Sequence, residues 1–252
     1  MRTFRPALLF AILAPLISTA DESLTIAVAS NFQATAREIA AEFTKATQIP
    51  IRISAGSTGK LYAQIVNGAP YDLFLAADAA RPKLLEDRNA TVRGSRVTYA
   101  IGSLVLWSTD RALKSGDCLQ ALESGSYKHL AIANPLTAPY GIAAKEFLQA
   151  SGIYDDASSR LVYGENISQT LHFVASGNAT LGLIALSQVE GGLPVTATCS
   201  WRVPNAMYAA IEQQAVMLGA SGNLNAAQRF MEFLQAPPAV AILERRGYTV
   251  PQ

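Results

Sequence analysis

The sequence predicts an α/β protein of two lobes, each a mostly parallel β-sheet flanked by helices. Short apolar segments alternate with segments in which apolar residues recur at helical spacing, and this order is typical of parallel sheets. The alternation occurs twice along the chain, and two long extended segments bracket its second occurrence. A chain of 252 residues is also longer than a typical single domain. One continuous doubly wound domain is the alternative to two lobes.

The first alternation begins at Leu24 and has the order β-α-β-α-β. Apolar residues fall on one face of each helix. The segment 97–108 follows; it is mostly apolar and longer than one strand needs, so we expect it to cross between the lobes at Gly102-Ser103. Expected elements of this part are strands over 24–29, 50–54 and 72–77, a helix over 32–47, and a helix that buries Leu61 and Ile65.

The second alternation is followed by another long extended segment, 208–218, which predicts a return crossing. The expected lobes are therefore 24–99 plus 211–252 for the first and 100–210 for the second. Expected elements of this part are strands over 130–133, 161–163 and 181–186 and helices over 140–150, 167–176, 224–234 and 239–246, the last ended by Gly247.

The first 20 residues have the pattern of a signal peptide. Arg2 and Arg5 precede an apolar run over 7–17, and Ser18-Thr19-Ala20 supplies small residues before an expected cleavage after Ala20. The run is too short to span a bilayer, so we expect an exported mature chain with no direct membrane insertion. A retained N-terminal anchor is the alternative.

Charge and cysteine content exclude several classes of function. The formal net charge is +1, and the cations form no concentrated patch of the kind that nucleic acid or an anionic membrane requires. Cys118 and Cys199 either form one disulfide, which an oxidising compartment favours, or remain two buried thiols. Together with the isolated His129 and His172, they offer no spacing typical of a metal site.

Four predicted strand-to-helix turns are rich in hydroxyl and amide residues and poor in cations. Helix N-termini present unpaired backbone N–H groups and a partial positive charge, so several of them meeting at one place form an anion site without Lys or Arg. Serine, threonine and tyrosine hydroxyls add donors that rotate to suit a tetrahedral ligand. Capping-box spacing recurs in Ser30 with Gln33 and in Asn166 with Gln169. The four turns are Ser30-Asn31, 54–59, 134–141 and 165–169.

Two competing interpretations of these turns fail. A phosphate-binding loop needs four residues between its glycines and a hydroxyl residue after the lysine, but Gly56-Ser-Thr-Gly59-Lys60 has two and is followed by leucine. A serine hydrolase using Ser57 or Ser30 needs a neighbouring base. Both histidines lie in apolar surroundings that indicate structural roles, so no base is predicted.

Several of these segments resemble the periplasmic molybdate-binding proteins of ABC uptake systems. The resemblance runs from about Leu24 to Gly247-Tyr-Thr-Val-Pro251 and is carried by Ala29-Ser-Asn-Phe32, Ser54-Ala-Gly-Ser-Thr-Gly59, Ile65-Val-Asn-Gly-Ala-Pro-Tyr-Asp-Leu-Phe74 and the turn 134–141. It implies a periplasmic binding protein fold with the anion in the cleft between two lobes. The binding residues that it implies are Ser30, Asn31, Thr58 with Ser57 beside it, Tyr140, and the backbone N–H of Ile167.

One position departs from part of this family. Some members carry a ligand tyrosine on the strand after the fourth helix, where this sequence has Ala185. Tyr140 stands in the third turn instead, so the expected hydroxyl comes from another element, and Tyr140→Phe is expected to weaken binding by about one hydrogen bond.

The function that this resemblance implies is capture of molybdate or tungstate, with no cofactor and no catalysis. Molybdenum is expected only as the bound oxyanion, and the expected partner is an inner-membrane ABC permease served by a monomeric protein in the periplasm. The alternatives are a binding protein for a sulfate-like oxyanion or a small organic anion, a secreted serine hydrolase, and a structural or adhesive exported protein.

Overall fold

The structure, a computed structural model, describes residues 23–113, 118–191 and 196–251. The predicted signal peptide, residues 1–20, lies outside the described residues. No helix within the described ranges combines the length and apolar character needed to cross a membrane.

The chain begins with three strand–helix units and a fourth strand. They are β1 (Leu24–Ala29), a 3₁₀ turn (Ser30–Phe32), α1 (Gln33–Thr47), β2 (Ile51–Gly56), α2 (Thr58–Val66), β3 (Leu73–Ala76), α3 (Ala80–Asp87) and β4 (Val97–Gly102).

A second series follows, and then the chain returns. The second series is β5 (Leu104–Ser108), α4 (Cys118–Glu123), β6 (Leu130–Ala133), α5 (Pro139–Ala150), α6 (Tyr154–Ala157), a 3₁₀ turn (Ser158–Arg160), β7 (Leu161–Gly164), α7 (Ile167–Ala175), β8 (Leu181–Ala185), α8 (Leu186–Val189) and β9 (Cys199–Arg202). A 3₁₀ turn (Asn205–Met207), β10 (Ile211–Met217), α9 (Leu224–Leu234) and α10 (Pro237–Arg245) complete the chain.

The strands form two mixed sheets of five strands each, in the orders β2-β1-β3-β10-β4 and β7-β6-β8-β5-β9. In each sheet one strand, β10 or β5, runs antiparallel to both of its neighbours, and the remaining strands share one direction. The predicted α/β fold of two lobes with mostly parallel sheets is therefore confirmed. The alternative of one continuous doubly wound domain is wrong, because the described strands fall into two separate sheets.

The chain passes between the sheets at two places. β4 stays in the first sheet as far as Gly102, and β5 begins the second sheet at Leu104, so a single residue, Ser103, separates the two. The return runs from β9 to β10 through the 3₁₀ turn. The boundaries 24–99 plus 211–252 and 100–210 stay a prediction; in the structure the first sheet extends three residues beyond Tyr99.

Each lobe has its own apolar core. In the first lobe, helices α1, α9 and α10 cover one face of the sheet, and Phe43 packs edge-on against Phe230 with ring centroids 5.3 Å apart. Gln48, the residue directly after α1, adopts a left-handed conformation with φ 63°. β3 is buried at every position, as expected for a strand covered on both faces. The packed cores hold the strand ends in place.

A disulfide joins Cys118 of α4 to Cys199 of β9 in the second lobe, with the Cα atoms 5.6 Å apart. This separation lies in the ordinary range for disulfides. β9 was not expected from the sequence, and the disulfide ties this edge strand to the helix before β6.

Candidate functional site

A small cavity lies where the carboxyl ends of β1 and β2 meet those of β6 and β7. Its volume is about 10 Å³, room for roughly one water molecule. All six residues that the sequence analysis singled out lie around it: Ser30, Asn31, Ser57, Thr58, Tyr140 and Ile167. The remaining lining residues are Ala29, Gly56, Ala77, Ala138 and Pro139. The four turns thus converge on one place.

The first turn contains the Ser30 hydroxyl and the Asn31 side-chain amide, and the amide is already hydrogen-bonded to other residues of the protein. The predicted capping box of Ser30 does not form, since α1 is preceded by Phe32 and has no side-chain cap. Within the described ranges, no hydrogen bond engages the hydroxyl of Ser30. The side-chain amide of Asn31 donates to Gln213 Oε1 at 2.9 Å and to the Tyr248 hydroxyl at 3.0 Å. Asn31 is therefore left with its backbone N–H as the donor for a ligand.

The second turn offers two hydroxyls whose protons are free. Ser57 caps α2 by accepting from the backbone N–H of Lys60 at 3.4 Å. Thr58 Oγ1 accepts from the backbone N–H of Ala77 at 3.2 Å. Each hydroxyl uses only an oxygen lone pair in these bonds, so its own proton can be donated to an anion. Both residues are buried.

The third and fourth turns supply backbone donors. Pro139 occupies the first position of α5, and Tyr140 follows it, so the N–H of Tyr140 belongs to the unpaired first turn. Asn166 caps α7 by accepting from the N–H groups of Ser168 and Gln169 at 3.0 and 3.1 Å. The cap leaves the N–H of Ile167 without a partner among the described residues.

The hydroxyl of Tyr140 lies against Gly102 at the end of β4. It is buried, and no hydrogen bond engages it within the described ranges. Burial raises the pKa of Tyr140 well above its usual value of 10.0; neighbouring tyrosines raise it further, and the nearby Asn31 amide opposes them. The hydroxyl therefore stays protonated and neutral at physiological pH.

The cavity is electrically neutral in its side chains. None of its described lining residues carries a charge. Lys60 and Glu165 form an ion pair of 2.9 Å between the second and fourth turns, but both side chains are more than half exposed. An anion here would meet helix N-termini and hydroxyl dipoles, which act strongly in a buried site of low dielectric.

The two lobes touch directly around the cavity. The backbone N–H of Gly59 donates to the carbonyl of Thr137 at 2.9 Å, and the hydroxyl of Ser168 donates to the carbonyl of Ser30 at 3.3 Å. These bonds join the second turn to the third and the fourth turn to the first. The structure is thus a closed form of a two-lobe protein.

A larger cavity, of about 740 Å³, opens near Asp72 at the amino ends of β1 and β3. The carboxylate of Asp72 already accepts from the backbone N–H of Thr25 at 2.7 Å and from the Ser221 hydroxyl at 2.6 Å. Its polar group is satisfied by the protein, and ligands of open α/β sheets bind at the carboxyl ends of strands. The small cavity between the lobes is therefore the better candidate.

The chain is similar to known proteins of one family. Residues 24–249 match the family described as bacterial extracellular solute-binding protein. The molybdate-binding protein ModA of Azotobacter vinelandii is 44% identical over 223 residues, which cover 88% of each chain. The chain belongs to the bacterial extracellular solute-binding protein family.

Other relatives of this solute-binding protein agree with the assignment. The ModA protein of Escherichia coli strain K12 is 29% identical over 92% of this chain and 91% of its own. The solved structure of the Azotobacter vinelandii periplasmic molybdate-binding protein superposes with a TM-score of 0.85 at 39% identity and covers 91% of this chain and 100% of its own. The sulfate-binding protein SubI of Mycobacterium tuberculosis, at 14% identity and a TM-score of 0.70, shares the fold alone.

These relatives are binding proteins, and the chain is not an enzyme. The placement of the histidines agrees with this. His129 lies just before β6, at the amino end of a strand whose carboxyl end faces the cavity, and His172 lies inside α7. A base for Ser30 or Ser57 is therefore not available from either histidine.

The sequence analysis did not identify the residues that hydrogen-bond to Asn31. Gln213, Tyr248 and Ser187 all bond to Asn31 and do not line the cavity. Tyr248 belongs to the carboxy-terminal segment that resembles the molybdate-binding proteins, so that segment carried the signal. Its contact with the first turn depends on tertiary packing and could not be read from spacing.

Proposed function

We propose that this chain captures molybdate or tungstate in the periplasm and delivers it to an inner-membrane ABC permease. The observation that carries the proposal is the convergence of six donor residues from four turns on one uncharged cavity. The choice of molybdate is supported by the names of the relatives, which are molybdate-binding proteins. The choice of compartment is supported by the family description, which is extracellular. The amino-terminal pattern of residues 1–20 supports export.

The ligand shell that we propose combines hydroxyl and backbone donors. Ser30, Ser57 and Thr58 donate through their hydroxyls, and Asn31, Tyr140 and Ile167 through their backbone N–H groups. A hydrogen bond to a charged group contributes about 1.5–3 kcal/mol, so a shell of this size offsets much of the desolvation of a dianion. This assignment moves the contribution of Tyr140 from its hydroxyl, which lies against Gly102, to its main chain.

Selectivity follows from donors and size. The side chains around the cavity offer mainly donors, so a fully ionised oxyanion satisfies them, whereas phosphate at pH 7 carries a proton that needs an acceptor. Donors spaced for the larger molybdate or tungstate would hold sulfate at longer and weaker hydrogen-bond distances. The sulfate-binding relative shares only the fold and does not favour sulfate here.

Capture proceeds by closure of the two lobes, which we propose to be 24–99 plus 211–252 and 100–210. Four donor residues, Ser30, Asn31, Ser57 and Thr58, belong to the first lobe, and two, Tyr140 and Ile167, to the second. An anion bound first to one lobe is completed by the other, and the closing cleft expels water. We propose that the protein acts as a monomer.

Isothermal titration calorimetry tests this proposal on the mature protein, refolded after removal of any bound anion. We expect molybdate and tungstate to bind with a stoichiometry of one, and an excess of sulfate or phosphate to leave their titration nearly unchanged. Tight binding of sulfate with no binding of molybdate would show that the solute is sulfate and would leave the proposed anion site in place. Absence of binding by all four anions would reject the oxyanion function.

A further inference from the structure

A ring of hydrogen bonds holds Asn31 from residues outside the cavity lining. The side-chain amide of Asn31 donates to the Tyr248 hydroxyl at 3.0 Å. The Tyr248 and Ser187 oxygens are 3.0 Å apart, and the Ser187 hydroxyl lies 3.2 Å from the backbone carbonyl of Asn31. The ring closes when Asn31 donates to Tyr248, Tyr248 donates to Ser187, and Ser187 donates to the Asn31 carbonyl. Every donor then has its own acceptor.

The ring is shielded from water. Asn31, Ser187 and Tyr248 are each only 4% exposed. The second amide proton of Asn31 goes to Gln213 Oε1, and Gln213 Nε2 donates in turn to the carbonyl of Ile211 at 3.2 Å. Side chain and carbonyl of Asn31 are thus both fixed, and this determines the orientation of the first turn. Buried networks in which every group is paired rigidify their surroundings.

The ring joins the two lobes. Asn31 follows β1, and Tyr248 packs on Phe32 of the same lobe with ring centroids 5.5 Å apart. Thr249, next in the chain, bridges to Ile101 of β4 in the first sheet. Ser187 lies in α8, directly after β8 of the second sheet. The ring is therefore complete only while the lobes are together.

We propose that Ser187 and Tyr248 are positioning residues that hold the Asn31 turn in its binding orientation in the closed form and slow the release of the anion. This inference rests on the proposed function, and neither residue lines the anion cavity. An anion arriving at the open form does not meet the ring, because Ser187 is then apart from Asn31. Loss of the ring should accelerate dissociation and leave association unchanged.

Stopped-flow kinetics with molybdate separates the two rates. Ser187→Ala and Tyr248→Phe should each raise the dissociation rate constant about five- to tenfold, the loss expected of about one buried hydrogen bond, with an unchanged association rate constant. The double variant should resemble either single variant, because both break the same ring. Ser151→Ala and Tyr71→Phe are matched controls, since their hydroxyls bond within one lobe, and should release molybdate at the wild-type rate.

Several results would overturn the inference. Wild-type dissociation in both ring variants, an effect confined to association, or fully multiplicative effects in the double variant would each do so. If the wild type itself fails to bind molybdate, the proposed function fails, and small-angle scattering without added anion then tests the ring. A larger radius of gyration for Ser187→Ala than for wild type and Ser151→Ala upholds the ring, and equal radii reject it.

Discussion

The hydroxyl of Tyr140 occupies the space that a side chain at Gly102 would need. A Cβ at Gly102 would overlap this hydroxyl and would lie 3.2 Å from Gln213 Nε2. Gly102 is the last residue of β4, one residue from the crossing between the sheets. The absence of a side chain at Gly102 thus leaves room for the hydroxyl of Tyr140, a residue that lines the small cavity between the lobes.

Tyr140→Phe should bind molybdate within about twofold of wild type, because the hydroxyl that it removes has no hydrogen-bond partner among the described residues. Gly102→Ala should weaken binding about tenfold or more, since the displaced Tyr140 tilts the first turn of α5. Titration calorimetry measures both. Gly222→Ala is the control, because an added Cβ meets nothing within 4 Å there. A tenfold loss in Tyr140→Phe would restore the hydroxyl to the ligand shell.

Ser30→Ala and Ser57→Ala should separate ligand binding from helix capping. Each removes one charge-assisted hydrogen bond and should weaken molybdate binding by about 1.5–3 kcal/mol. Of these two serines, Ser57 caps a helix and Ser30 does not. Ser57→Ala, but not Ser30→Ala, should therefore also lower the stability of the ligand-free protein, by about 1 kcal/mol. Calorimetric titration and thermal unfolding give the two quantities. Unchanged affinity in Ser30→Ala would remove Ser30 from the shell.

The stability of the protein should decline above about pH 10. Burial raises the pKa of Tyr248 from 10.0 to about 12, while hydrogen bonds from its neighbours lower it. A pKa raised by folding means that the native state holds the proton more tightly. The contribution of the Tyr248 hydroxyl to the free energy of unfolding is therefore complete below pH 10 and is lost as the pH rises through 12. Tyr248→Phe should show a shallower decline of unfolding free energy across this window; an identical slope would contradict the assignment.

The disulfide should contribute substantially to stability. It closes a loop with a sequence separation of 81, for which chain entropy predicts about 4 kcal/mol. Changing both Cys118 and Cys199 to serine should lower the unfolding temperature by roughly 8 °C or more. Reducing agent should lower the wild-type temperature by a similar amount and leave the double variant unchanged. Equal unfolding temperatures of wild type and double variant would show that the bond does not stabilise the native state.

Local patterns predicted most of the fold, and tertiary packing decided the rest. The expected helix over 32–47 and the helix observed at Gln33–Thr47 differ by one residue, because apolar spacing and the polar turn after it mark both ends. β9 was missed because its four residues, Cys199–Arg202, are an edge strand with an exposed face and little apolar signal.

Part of the candidate site could likewise be predicted from local sequence, and part of it depends on tertiary packing. Its turns were predictable because strand ends and helix starts are local features. The direction of a side chain is not local. Spacing predicted that Ser30 forms a capping box with Gln33, but a 3₁₀ turn precedes α1 and no side chain caps it. The resemblance implied that Tyr140 offers its hydroxyl, and in the structure that hydroxyl lies against Gly102. The ring through Ser187 and Tyr248 joins positions 61 and 217 residues apart, which no spacing rule connects.

Thermal unfolding with molybdate, tungstate, sulfate and phosphate, each added separately to the refolded mature protein, tests the central claim most directly. A ligand at about 1,000 times its dissociation constant stabilises the native state by about 4 kcal/mol, which raises the unfolding temperature of a protein of this size by roughly 8 °C or more. We predict this rise with molybdate and tungstate, a smaller rise with both in Ser30→Ala, and little change with sulfate or phosphate. No response to any of the four anions would contradict the claim that the cavity between the lobes is an oxyanion site.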